Sequence, residues 1–163
     1  MNRNEFVRNV ESCQKQVRRF LTALCCGDST MADDIAQDSF VKAYLSCDNL
    51  TDDNKFMSWI YRIAYNTFIS SRRASHATTF LEDAANIESK DTSDSAFRYQ
   101  ELYKALDMLS VKERTSILLF YMHGYDIKEI AKIIDSTSDA IKQHLSRGRL
   151  HLKKLLQEEC YGR

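Results

Sequence analysis

The sequence predicts an all-α fold: two small helical domains joined by a flexible acidic linker, the second a helix-turn-helix of winged-helix-like, four-helix type. Three observations carry this expectation. The 163 residues include no proline and only four glycines, so little in the chain interrupts a helix. No period-two run of β-branched residues is long enough for a strand. Residues 74–96 are small, polar and acidic, with Phe80, Leu81 and Ile87 as the only large apolar side chains, which is the composition of a linker. The expected division is therefore 1–73, a linker over 74–96, and 97–163.

The first informative helix runs from Met31 to about Ser46. Ile35, Ser39, Phe40, Ala43 and Tyr44 gather on one side of its wheel, with Asp34, Gln37, Asp38 and Val41 towards the other. Asp33 and Asp34 read as acids of a first turn, an ordinary response to the helix dipole. The second helix, Lys55 to Arg73, is aromatic and basic together. Phe56, Ile60, Ile63 and Ala64 make its core stripe, and Trp59, Tyr61, Arg62, Tyr65, Asn66, Arg72 and Arg73 exceed what that stripe can bury. Exposed rings interleaved with cations suit unpaired nucleic acid, whose bases stack while their phosphates meet arginine.

The last third alternates helices and tight turns. Val111–Met122 forms a helix that closes at Gly124, where a positive φ carries no steric cost. Asp126 is placed to cap the next helix, with Glu129 three residues on to reach back, and Ile127, Ile130, Ala131, Ile133 and Ile134 supply its apolar stripe. Asp135, Ser136 and Thr137 interrupt, and a third helix runs from Ser138 towards Glu159. Ile141, Leu145, Gly148, Leu152 and Leu155 lie on one side of it. Lys142, Gln143, Ser146, Arg147, Arg149, Lys153 and Lys154 lie on the other. Glycine inside a helix costs about 1 kcal/mol, so Gly148 is expected to permit close approach of a neighbouring helix. A basic amphipathic helix is also what a solvated packing helix looks like, but two tight turns at this spacing are specific to a helix-turn-helix that enters a DNA groove.

Formal charge is zero over the chain, yet it is polarised. Residues 1–74 hold ten cations and nine acids, 75–96 one and five, 97–163 twelve and nine. Local basic stripes, not the total, decide phosphate binding. The five cysteines form no C-x-x-C pair, which speaks against a zinc or disulfide framework; their odd number, with no secretory leader, suits a reducing cytosol. The longest apolar run, Ile117–Met122, is far short of a membrane span. No glycine-rich phosphate loop, nucleophile–base pair or metal cluster is visible, so neither enzyme chemistry, a metal nor a cofactor is expected.

Three motifs in order, Asp33-Asp34-Ile35-x-Gln37-Asp38-x-Phe40-x-Lys42-Ala43-Tyr44, Phe56-x-x-Trp59-Ile60-Tyr61-Arg62-Ile63-Ala64-x-Asn66, and Glu129-Ile130-Ala131 before Ile141-Lys142-x-x-Leu145-x-Arg147-Gly148-Arg149, resemble the extracytoplasmic-function sigma factors of bacterial RNA polymerase. The resemblance covers nearly the whole chain. It implies that Asp34, Gln37, Asp38 and Phe40 dock on the β′ clamp of core polymerase, the second domain meeting the β flap. It implies that Trp59, Arg62, Asn66, Arg72 and Arg73 hold the melted −10 element, and that Lys142, Gln143, Ser146, Arg147 and Arg149 contact the −35 element. Promoter DNA and an anti-sigma protein are the further partners it implies, with no membrane insertion.

Departures from the family pattern are local. Ser110 follows Leu109 where proline is usual, and can form a capping box with Glu113. Asp135, Ser136 and Thr137 replace a turn that usually carries glycine, Asp139 replaces a second glycine, and Tyr65 stands where arginine is common. Two rivals stay open on sequence alone: a free-standing helix-turn-helix regulator, and a small all-α enzyme or redox switch built on Cys25 and Cys26.

Overall fold

The computed structural model describes the backbone of residues 1–78 and 94–161, and side chains over 1–75 and 99–157. Among the described residues there is no strand, so the likeness to a winged helix rests on helices alone. Seven α-helices are present in this part: α1 (Arg3–Leu24), α2 (Ser29–Ser46), α3 (Phe56–Thr78), α4 (Asp94–Asp107), α5 (Val111–Ile117), α6 (Ile127–Ile133) and α7 (Ser138–Tyr161). They form two compact units. The first holds α1 up to Leu21, α2 and α3; the second holds Thr22–Ser29 with α4 to α7.

In the first unit α1 opens on a reciprocal cap, in which Asn2 accepts from the Glu5 amide at 2.9 Å and Glu5 accepts from the Asn2 amide at 3.2 Å. Phe6, Cys13, Val17, Phe20 and Leu21 then recur at helical spacing and are buried. α2 turns a face of small residues inward, Ala32, Ala36, Ser39 and Ala43 with Ile35 among them. Ser39 satisfies its hydroxyl on the Ile35 carbonyl at 2.6 Å, so a buried serine costs little here. α3 buries roughly half its circumference: Phe56, Ile60, Tyr61, Ala64, Tyr65, Thr67 and Phe68. Phe6 meets Phe56 edge-on at 5.9 Å, and Phe20 meets Tyr61 edge-on at 5.1 Å.

This corrects the expected face of α3. Tyr61 and Tyr65 are only 1% and 6% exposed, so they belong to the core and not to the aromatic surface. Burial also raises the Tyr65 phenol above its usual pKa. Nor does the helix end at Arg73: it continues to Thr78, and α4 starts at Asp94, so both ends of the 74–96 segment are helical. Without glycine or proline, Ala-Ser-His-Ala-Thr has nothing to stop the helix. The stretch 79–93 lies outside the described residues.

The second unit is built around α5 and α7. Ser110 caps α5 by accepting from the Glu113 amide at 3.2 Å, but the reciprocal arm is lost because the Glu113 carboxylate lies 3.2 Å from Nδ1 of His151 on α7. The expected capping box is thus half made. Arg114, 4% exposed, points inward and donates to the carbonyls of Leu106 (2.8 Å), Leu109 (3.3 Å) and Leu24 (2.8 Å). A guanidinium has five donors, and here they serve carbonyls left over at helix ends. After Ile117 the chain widens into a π-helical turn, Leu118–Met122, before Gly124 takes φ +72° and Tyr125 donates back to Leu119 at 3.0 Å. The expected single helix over 111–122 is therefore two kinds of helix in sequence.

The helix-turn-helix itself forms as the sequence predicts. Asp126 and Glu129 make both arms of a capping box on α6. α6 ends with Ser136 donating to Ala131 at 2.8 Å and Asp135 at φ +55°, the left-handed position that glycine most readily fills. Thr137 then caps α7, accepting from the Ala140 amide at 3.2 Å. Ile141, Leu145 and Gly148 of α7 face the core. A Cβ on Gly148 would stand 2.9 Å from Cγ1 of Ile117, which is the close approach its presence implied.

Candidate functional surfaces

α2 begins at Ser29, two residues earlier than the sequence suggested, so no acid lies in its first turn and the helix dipole does not explain Asp33 or Asp34. Asp33 is instead paired with Arg18 of α1 at 2.7 Å. Asp34, Gln37 and Asp38 are exposed and lie on one face, which continues along the helix through Val41 and Leu45, 58% and 76% exposed. Phe40 stands apart, half-buried on the flank of this stripe, and Tyr44 beside it is partly engaged by Phe6 and by the Arg3 guanidinium 5.3 Å above its ring. Leu45 was missed in the sequence because it continues a polar face. Its position eleven residues after Asp34, three full turns, was the available signal.

On α3 the outward strip is narrow. Arg62, Asn66 and Arg73 are exposed and share a face, with Trp59 half-buried at its edge, its ring 6.0 Å from that of Phe56. Arg72 does not join them. Its guanidinium lies 5.8 Å from the centre of the Phe68 ring, about a quarter-turn or more round the helix. Four of the five residues named for this surface are thus brought together.

On α7 the outward face is broad. Lys142, Gln143, Ser146, Arg147 and Arg149 are all exposed. Arg149 sits at one margin, donating from Nη1 to the Tyr121 hydroxyl at 3.0 Å. At the other margin His144 is half-buried beside α5. Burial first, then the positive charges of Lys112 and Arg147, lower its pKa, with Glu113 opposing. Lys112 of α5, and Lys128 and Lys132 of α6, add exposed cations to the same unit.

Cys25 and Cys13 are held as neutral thiols. Burial, reinforced by the charge of Asp28, pushes the Cys25 thiol up to about 12, and burial pushes Cys13 up to about 11. Among the described residues no group of histidine, cysteine and acid side chains is arranged to hold a metal ion, and no helix is long and apolar enough to cross a membrane.

Against known proteins, residues 10–78 match the family model for Sigma-70 region 2, and residues 99–152 match that for Sigma-70, region 4. The chain is 30% identical over 145 residues to the ECF RNA polymerase sigma factor SigM of Mycobacterium tuberculosis, covering 87% of this chain and 72% of that one. It is 28% identical over 136 residues to the RNA polymerase sigma factor SigZ of Bacillus subtilis, covering 82% and 77%. Among solved structures it is similar to the sigma factor RpoE of Bartonella quintana, crystallised in complex with the anti-sigma factor NepR, with a TM-score of 0.78 at 25% identity over 94% of this chain and 97% of that one.

Proposed function

The chain belongs to the extracytoplasmic-function sigma factors of bacterial RNA polymerase, and we propose that its two units share one task through the three outward faces described above. It is a promoter-specific initiation factor that binds core polymerase and promoter DNA. Asp34, Gln37 and Asp38 of α2 dock on the β′ clamp, with Phe40 at the margin and Val41 and Leu45 as apolar anchors further along the helix. Charge there sets orientation and encounter rate, while the apolar end contributes the desolvated contact. Trp59, Arg62, Asn66 and Arg73 hold bases extruded from the non-template strand of the −10 element, and Arg72 meets a phosphate from the flank. The strand is captured by binding, with no catalytic chemistry in the protein. α7 enters the major groove of the −35 element, with Lys142, Gln143, Ser146, Arg147 and Arg149 meeting bases and phosphates. The second unit also meets the β flap, and residues 1–73, 74–96 and 97–163 act as core-binding, linking and −35-binding segments. An anti-sigma protein covers these surfaces in the resting state, as NepR accompanies RpoE in that complex. The site of action is the cytoplasm.

The observation that carries this reading over a free-standing regulator is the α2 stripe, since a regulator that works without polymerase has no use for Val41 and Leu45 in solvent. Run-off transcription and core pull-down with the full chain test it. Asp38→Arg is expected to lose core binding at least tenfold with an unchanged melting temperature, and a wild-type chain that fails to bind core would overturn it.

A further inference from the structure

The outward face of α7 carries one residue of the wrong sign. Between Ser138 and Gln157 every charged side chain is a cation or histidine except Asp139, which lies at the middle of the face formed by Lys142, Gln143 and Ser146. An acid in a first turn ordinarily serves the helix dipole or caps an amide. The cap is already made, since Thr137 accepts from the Ala140 amide at 3.2 Å and Ile141 donates to the Thr137 carbonyl at 3.0 Å. The Asp139 carboxylate is exposed and takes part in no hydrogen bond or ion pair among the described residues. Lys142 and Gln143, one turn on, leave it open.

Resting on the initiation-factor reading, we infer that Asp139 is a specificity-determining residue that reads a cytosine in the −35 element. The N-terminal residues of a recognition helix in the major groove contact base edges. An acid on this face opposes the phosphates, so its place is against a base edge that donates. A carboxylate only accepts, so it selects an exocyclic amine and is repelled by the O6 of guanine or O4 of thymine. Cytosine offers its N4 amine beside a C–H, whereas adenine offers its N6 amine beside the N7 lone pair, which opposes the second carboxylate oxygen. Cytosine is therefore preferred over adenine, and both over guanine and thymine.

The test is selection of −35 elements from a randomised duplex by the full chain joined to core polymerase, comparing wild type, Asp139→Asn and Asp139→Ala. The wild type is expected to discriminate for cytosine at one position by between about fivefold and 100-fold. Asp139→Asn should move that position to adenine, whose N6 and N7 an amide pairs with bidentately. Asp139→Ala should flatten it, while every other position keeps its preference and binding to unrelated duplex rises. Thermal melting of each variant confirms that the fold is intact. An unchanged base profile in both variants, or a uniform weakening across all positions, would overturn the inference and leave the initiation reading standing. Failure of the wild type to select any promoter with core polymerase would overturn both.

Discussion

α3 and α7 are both long helices that turn cations outward, yet they divide their surfaces in opposite proportions. α3 buries about half its circumference, including two tyrosines, and leaves a strip of Arg62, Asn66 and Arg73 beside Trp59. α7 is fixed by Ile141, Leu145 and Gly148 and shows most of its surface to solvent. A strip with one ring suits a few bases held against a rigid wall. A broad face on a helix of 24 residues, about 36 Å long, suits a duplex groove whose phosphates flank it on both sides. The same ingredients, arginine and an amphipathic helix, thus present differently shaped surfaces according to how much of the helix the core takes.

The largest effects should separate the two. Trp59→Ala is expected to reduce open-complex formation roughly 10- to 100-fold, the cost of one lost base stack, while −35 duplex binding by the holoenzyme stays within about twofold. Arg147→Ala should do the reverse, weakening −35 binding and reducing the salt dependence of that binding by about one unit in the log–log slope. Permanganate footprinting reads the first and a salt series of duplex binding the second. If either substitution removed both activities equally, the division of labour between the helices would be wrong.

A smaller effect probes how each helix is held. α7 is seated through a narrow seam, so one methyl group in it should be felt. Gly148→Ala gains about 1 kcal/mol of helix propensity but places a Cβ 2.9 Å from Ile117, and overpacking of that kind costs about 1 to 3 kcal/mol. Net destabilisation in urea unfolding is expected, with −35 binding lost before core binding as the denaturant rises. A stabilised variant would mean that α7 moves away from α5 freely, and that the seam is not what positions the reading face.

Much of this could be read from the chain because it was local. Asp126 with Glu129, Gly124 and the start of α7 at Ser138 are signals spanning a few residues, and each formed as patterned. Gly148 was legible for the opposite reason, since a costly residue must be offset by something nearby. What sequence did not disclose was decided by distant partners. Glu113 abandons its reciprocal cap for His151, 38 residues away, and Arg114 turns inward to carbonyls that no periodicity reveals. Tyr61 and Tyr65 are amphipathic by type, and only the aromatic contact with Phe20 on another helix shows which side of Tyr61 the core takes. Of the named contact residues, Arg72 lies about a quarter-turn from the strip it is grouped with, and Phe40, which the helical wheel sets apart from Asp34 and only the family resemblance groups with it, lies on the flank of that stripe. Asp33 and Asp34 read as first-turn acids only when α2 is started at Met31, two residues late, so the family resemblance and not the helix dipole is what singles out Asp34.

The smallest effect is a pH dependence confined to α7. His144 has its pKa lowered by burial and by Lys112 and Arg147, against the pull of Glu113, so the folded chain binds a proton there less readily than the unfolded chain. Where the unfolded state binds more protons, stability rises with pH. The contribution of His144 is therefore fully present above the ordinary histidine range and is lost as pH falls through that range towards the lower folded value. Thermal melting across pH 5 to 8 should show a shallow decline on the acid side that His144→Gln reduces. DNA phosphates beside α7 would act in the opposite direction, favouring the charged ring, so the decline should shrink when the −35 duplex is bound. An acid limb that His144→Gln left unchanged would show that burial beside α5 does not set this dependence.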